Sequence, residues 1–173
     1  MEFNLQPTLT GNLIELRPLL EADFEALYQV ASDPLIWEQH PSSDRYKENV
    51  FREFFQQGLA SNGALIVIDR KNLEIIGSSR FFGYDPIDSR IEIGWTFLAR
   101  SHWGGTYNRE LKTLMLSHAF QFVEKVIFLI GPNNMRSRKA IQKIGASYLG
   151  KQVDPKGKES VVYQISKAEF YSS

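Results

Sequence analysis

Two stretches of this chain carry residue types and spacings that could do chemistry. The first runs from Glu92 through Gly94, Trp95, Thr96, Phe97 and Leu98 to Arg100, Ser101, His102, Trp103, Gly104, Gly105, Thr106, Tyr107 and Asn108. It reads as a strand that enters a glycine-containing turn and then a helix. The first amides of a helix lack internal partners and carry partial positive charge. Glycines let an anion approach that backbone closely, so the turn reads as a phosphate cradle or as a bare helix start. It matches neither the Gly-x-Gly-x-x-Gly dinucleotide pattern nor a nucleotide-triphosphate loop. The second stretch, Asn133 to Gly145, reads as an amphipathic helix. Ser137, Ala140, Ile141 and Ile144 share one face, and Arg136, Lys139 and Lys143 another. Asn133 or Asn134 is its N-cap. The basic side is a solvated surface or a phosphate contact.

Composition narrows the chemistry. The chain has 173 residues, 20 basic and 20 acidic residues, and no cysteine. Roughly 100–200 residues make one domain, so residues 1–173 are read as a single one. Without cysteine there is no disulfide, thiolate nucleophile or iron–sulfur cluster. His40, His102 and His118 form no close-spaced ligand pair, so no metal is expected. The balanced charge argues against nucleic acid or a membrane surface as partner. No basic start leads an apolar run, and Val126 to Ile130 is too short to span a bilayer, so the expected location is the cytoplasm.

These stretches need elements to position them. Alternation gives a strand at 13–17, and spacings of three and four give a helix through Phe24, Leu27, Tyr28 and Ala31. A second helix through Phe51, Phe54, Phe55 and Leu59 ends at Asn62-Gly63. Strands are expected at 64–69, 75–84 and 90–98, joined by short turns as an antiparallel meander. A long helix is expected over 105–123, with Leu111, Leu114, Met115, His118, Ala119 and Phe122 as its buried stripe. An apolar strand at 126–130, a helix at 135–144, and strands at 146–153 and 160–165 follow. The order β-α-α-β-β-β-α-β-α-β-β predicts an α+β fold of mixed layers, with a largely antiparallel sheet flanked by helices. The strand–helix–strand unit from Arg90 to Ile130 makes its two strands parallel.

Together the two stretches resemble the GNAT superfamily of acyl-CoA-dependent N-acetyltransferases. Trp103-Gly104-x-x-Tyr107-x-x-Glu110 is similar to the first acetyl-CoA motif of its RimJ/RimL-like branch. Asn134-x-x-Ser137-x-x-Ala140-Ile141-x-Lys143-Ile144-Gly145 is similar to the second. The opening Leu13 to Leu19, followed by Asp23, is similar as well, so the resemblance spans the chain. It implies a sheet that splays open beside the third meander strand. The pantetheine arm of acetyl-CoA then pairs with backbone at Thr96, Phe97 and Leu98. The pyrophosphate lies on the turn of Arg100, Gly104, Gly105, Thr106, Tyr107 and Asn108, and Asn134, Ser137 and Lys139 complete the cofactor site. The turn departs from the family's Gln/Arg-x-x-Gly-x-Gly/Ala. Ser101 holds its first position and Thr106 its last, and Arg100 stands one place early. Ile141 occupies the position where many members have a tyrosine general acid, which leaves Ser137 or a water to protonate the thiolate.

The implied reaction is direct attack of a primary amine on the thioester in a ternary complex. The acceptor is a protein N-terminus or a small amine, and the enzyme a monomer or homodimer. Glu92, at the glutamate position of the histone-acetyltransferase branch, is the candidate base; its other reading is a strand carboxylate paired with Arg90 or Arg80. Trp37, His40, Arg80 and Phe82 are expected to border the acceptor groove. Between Glu21 and Glu53 eight acids face three bases, and between Asn134 and Lys158 seven bases face one acid. That asymmetry suits a cationic acceptor at one end and coenzyme A at the other. The competing reading is a catalytically silent acyl-CoA-binding or regulatory module.

Overall fold

The computed structural model describes residues 2–172. Its strands are β1 (Leu9–Thr10), β2 (Ile14–Pro18), β3 (Ala64–Asp69), β4 (Ile75–Asp85), β5 (Arg90–Leu98), β6 (Lys125–Ile130), β7 (Ser147–Val153) and β8 (Glu159–Ser166). Its α-helices are α1 (Phe24–Ala31), α2 (Glu48–Ser61), α3 (Thr106–Ala119), α4 (Met135–Lys143) and α5 (Lys167–Ser172). The strands form one sheet in the order β1-β2-β3-β4-β5-β6-β8-β7. Every pairing is antiparallel except β5 with β6, the pair joined by α3. The expected α+β layers and element order are therefore what the chain adopts.

Each face of the sheet carries its own apolar cluster. On one face α1 and α2 set Phe24, Leu27, Phe51, Phe54 and Phe55 against Ala64, Ile66 and Phe97. Each fully buried phenylalanine there contributes roughly 1.5–3 kcal/mol of transfer free energy. Helix α2 stops where Asn62 turns left-handed at φ 55°, a conformation asparagine tolerates. On the other face α3 sets Leu111, Met115, Leu116 and Ala119 against Leu65, Val67, Phe81, Ile91 and Ile93.

Three boundaries differ from the sequence reading. Helix α3 ends at Ala119, because Phe120 to Val123 form a turn that drives Phe120 and Val123 into the core. Strand β1 is two residues long and shows no alternation to read. Helix α5 was missed although Ser166-x-x-Glu169 is a capping box: Ser166 N–H donates to Glu169 Oε1 (3.0 Å) and Glu169 N–H to Ser166 Oγ (3.1 Å).

Candidate active site

Strands β5 and β6 pair over three residues, Arg90 with Lys125, Ile91 with Val126 and Glu92 with Ile127. Beyond Glu92 they diverge. On its other side β5 pairs with β4, and the register skips a residue between Gly94 and Phe97. Trp95 sits in that bulge at φ 53°. An extra residue reverses side-chain alternation along a strand. Ile91 and Ile93 therefore point to the α3 face, yet Phe97 reaches the α1–α2 cluster, with its ring 5.0 Å from that of Trp37. Ala99 N–H donates to Ile76 O across to β4. By alternation the backbone of Leu98 faces the opening. There the Leu98 carbonyl accepts the Trp103 indole N–H at 3.0 Å.

The turn before α3 is held from behind. His102 Nε2 lies 2.8 Å from Asp69 Oδ2, and Tyr107 OH donates to the same oxygen at 3.4 Å. The His102 hydrogen bond holds the Asp69 carboxyl below its ordinary pKa. Arg100 Nε donates to Asp33 Oδ2, tying the turn to the end of α1. Gly104 and Gly105 take φ of 111° and 108°, and a Cβ built at either meets nothing within 4 Å. No side chain caps α3 at Gly105, so the first amides of α3, at Thr106, Tyr107 and Asn108, face open space.

Helix α4 forms the facing wall. Its first turn is capped, since the buried Asn134 Oδ1 accepts the Ser137 N–H at 3.4 Å. Ser137 is half-buried and Lys139 exposed. Ile141 is in the apolar core. Arg136 stacks 3.7 Å over the Trp103 ring and donates to Ile36 O, which bridges the two walls.

Glu92 stands at the fork of β5 and β6. Among the described residues it has no ion pair; Arg90 pairs with Asp88 at 3.3 Å instead. Burial raises the Glu92 pKa to about 7, against the opposing charges of Arg80 and Lys158. Arg80 lies opposite Gly94 on the same face and is 5% exposed. Phe82, opposite Glu92, is 45% exposed and packs edge-on to Trp95 at 5.3 Å. Burial and the charges of Arg45, Lys158 and Arg136 push His40 down to about 3, so it is neutral; its Nδ1 accepts the Ser42 N–H at 2.9 Å. Trp37 is 2% exposed and its indole donates to Ala31 O at 2.8 Å, so it backs the groove without facing it.

The sequence reading missed Lys112. Its Nζ donates to Thr96 Oγ1 at 2.6 Å, and that hydroxyl lies 2.8 Å from Ser79 Oγ. Its signal was a lysine one turn before the buried Leu116, just off the stripe that was read. It also missed Lys158, an exposed residue of the β7–β8 turn whose charge is felt at both His40 and Glu92.

The acetyltransferase (GNAT) domain family matches residues 14–147, most of the chain and both walls of the opening. The chain belongs to the GNAT acetyltransferase family. Solved GNAT structures share its fold. A GCN5-related N-acetyltransferase from Brucella melitensis superposes with TM-score 0.83 at 17% identity, over 96% of this chain and 81% of that one. An acetyltransferase (GNAT family) from Bacillus anthracis gives 0.77 at 20% identity, over 94% and 100%. Spermidine N-acetyltransferase from Vibrio cholerae, solved with CoA and spermine, gives 0.69 at 16% identity, over 93% and 99%. As a GNAT member the protein is an acetyl-CoA-dependent N-acetyltransferase, moving an acyl group from acetyl-CoA to an amine. The residues present suit that co-substrate. The uncapped start of α3 and the open glycines can take a diphosphate, and the free edge of β5 can take an amide-bearing arm.

Proposed function

We propose that this GNAT enzyme acetylates a primary amine, a protein N-terminal α-amine or a small amine, by direct attack within a ternary complex, with Glu92 as general base. The Trp103–Glu110 and Asn134–Gly145 motifs support a RimJ/RimL-like assignment. The observation that carries the mechanism is the position of Glu92 at the fork of β5 and β6, half-buried and without an ion-pair partner among the described residues. A carboxyl titrating near 7 is matched to taking a proton at neutral pH. The amine must attack in its neutral form. An α-amine near 7.7–8 is close to that state, whereas a lysine near 10.4 costs roughly 4–5 kcal/mol to deprotonate.

The nitrogen lone pair forms a bond to the thioester carbonyl carbon, and the carbon–sulfur bond breaks. Glu92 accepts the proton lost by the amine, directly or through a water. The coenzyme A thiolate leaves and takes a proton from Ser137 or solvent. The amide of Phe97, in the bulge, is a candidate donor to the thioester oxygen. Buried Ile141 cannot supply the thiolate's proton.

The test is coenzyme A release by wild type and Glu92→Gln across pH 6–9. We expect Glu92→Gln to lose about 10²–10⁴-fold in kcat and to lose the acid limb near pH 7. Matching profiles for the two proteins would remove Glu92 from the role of base.

A further inference from the structure

Near Glu92 stand two arginines, Arg80 and Arg45, with no ion-pair partner among the described residues. Arg80 is 5% exposed and its Nε is buried with no hydrogen-bond partner among the described residues. Its guanidinium lies 4.4 Å over the Trp95 ring and 5.6 Å from that of Phe54. Arg45 shares the same ring: its guanidinium is 4.4 Å from Phe54 and 5.2 Å from Trp37. Among the described residues no carboxylate stands within ion-pair distance of either. A guanidinium carries five N–H donors and stays charged, and an unpaired buried charge costs several kcal/mol. Stacking on an aromatic face recovers only about 0.5–2 kcal/mol and satisfies none of the N–H groups.

The surroundings do not relieve this. Arg45 and Arg80 repel each other, and burial with that repulsion lowers Arg45 to about 10. Lys158 and Arg136 add positive charge that is felt at His40, and Lys158 is felt at Glu92. The carboxylates near these groups are Glu92 beside Arg80, Asp44 beside Arg45 and Glu38 beside Arg136. Asp44 and Glu38 are exposed at the rim. Of the acids of 21–53, Asp23 is buried against Arg17, Asp33 pairs with Arg100, and Glu21, Glu25, Glu38, Asp44, Glu48 and Glu53 are exposed, so none forms an ion pair with Arg80 or Arg45. The cationic groups near Glu92 count against a cation-friendly acceptor end. A polyamine would meet net repulsion here.

We propose that Arg80 and Arg45 form an anion subsite, and that the acceptor is a small primary amine bearing a carboxylate or phosphate a few bonds from the reacting nitrogen. This rests on the reading that Glu92 marks where the amine is deprotonated. Arg80 lies one register pair from Glu92 on the same face, so one short molecule spans both. Cross-strand diagonal neighbours are about 7–8 Å apart, the length of a few covalent bonds. The two guanidiniums bind the anion with charge-assisted hydrogen bonds, and Trp95 and Phe54 hold them in place.

The experiment compares matched acceptors with acetyl-CoA: O-phosphoethanolamine against ethanolamine, β-alanine against β-alaninamide, and spermidine. In parallel, the Arg80 Nε–H resonance of the coenzyme A-bound enzyme is followed during titration with the same amines. We expect the anionic member of at least one pair to have kcat/KM at least 10-fold higher and to shift that resonance. Which pair responds separates a phosphate from a carboxylate. Arg45→Met and Arg80→Lys should raise KM for the anionic acceptor 10-fold or more and so collapse its advantage over the neutral analogue. Turnover with no preference for the anion, or with spermidine preferred, overturns the subsite and leaves the transfer reading intact. An Arg80 shift with the anionic amines and no turnover of any amine upholds the subsite and overturns the transfer reading.

Discussion

Lys112 of α3 donates a 2.6 Å hydrogen bond to Thr96 in the bulged part of β5. This ties the helix that starts at the glycine turn to the strand segment that borders the opening. Lys112 is 4% exposed and has no carboxylate partner among the described residues, and burial lowers its pKa to about 7. The unfolded chain binds a proton on this group up to its ordinary value of 10.5, and the folded chain does not. Stability from this group is therefore gained as pH rises from about 7 toward 10.5. Lys112→Met should be more stable than wild type at pH 7, by about 2 kcal/mol, with the advantage shrinking by pH 9.5. Urea denaturation at the two pH values checks this, and an equal difference at both would count against it.

Glu92 has the opposite sign of shift and its own window. Its pKa is raised from 4.5 to about 7, with burial outweighing Arg80 and Lys158. A carboxyl raised on folding contributes stability below about 4.5 that disappears as pH rises through 7. Glu92→Gln should match wild type near pH 4.5 and exceed it by on the order of 2 kcal/mol at pH 8. Thermal unfolding at the two pH values measures this apart from any effect on turnover.

Glu110, the glutamate of the Trp-Gly-x-x-Tyr-x-x-Glu stretch, holds the fold together. Its carboxylate accepts the amides of Asn12 (2.7 Å), Leu13 (2.7 Å) and Ile14 (2.8 Å), clamping the β1–β2 turn onto α3. A Cβ built at Gly11 would lie 2.6 Å from Glu110 Cδ, so a side chain there would have to push the clamping carboxylate aside. Charge-assisted hydrogen bonds contribute about 1.5–3 kcal/mol each and are not additive, so Glu110→Ala should cost roughly 3 kcal/mol. KM for acetyl-CoA should stay within twofold in the folded fraction. A large KM change with unaltered stability would instead make Glu110 part of the binding machinery.

Local chemistry made much of this legible in the sequence. The 3.6-residue stripes through Phe51, Phe54 and Phe55 and through Leu111 and Met115 fixed the helices, because one face of each had to leave water. Glycines 104 and 105 marked the turn because few other residues take such φ values. The motif spacing led to the GNAT family, and through it to Glu92. Side-chain partners across the sheet were not legible. The bulge at Trp95 is one residue in a register, and no local preference announces it, yet it moves Phe97 to the opposite face. Arg80, Arg45 and Lys158 lie on three separate segments. Composition gave the acidic charge of 21–53, but only the tertiary packing decided that most of those acids are exposed while Arg45 and Arg80 stack on the same Phe54 ring. Charge counted along the chain is a sum, while the field in a groove depends on which groups folding brings within a few ångströms and away from water.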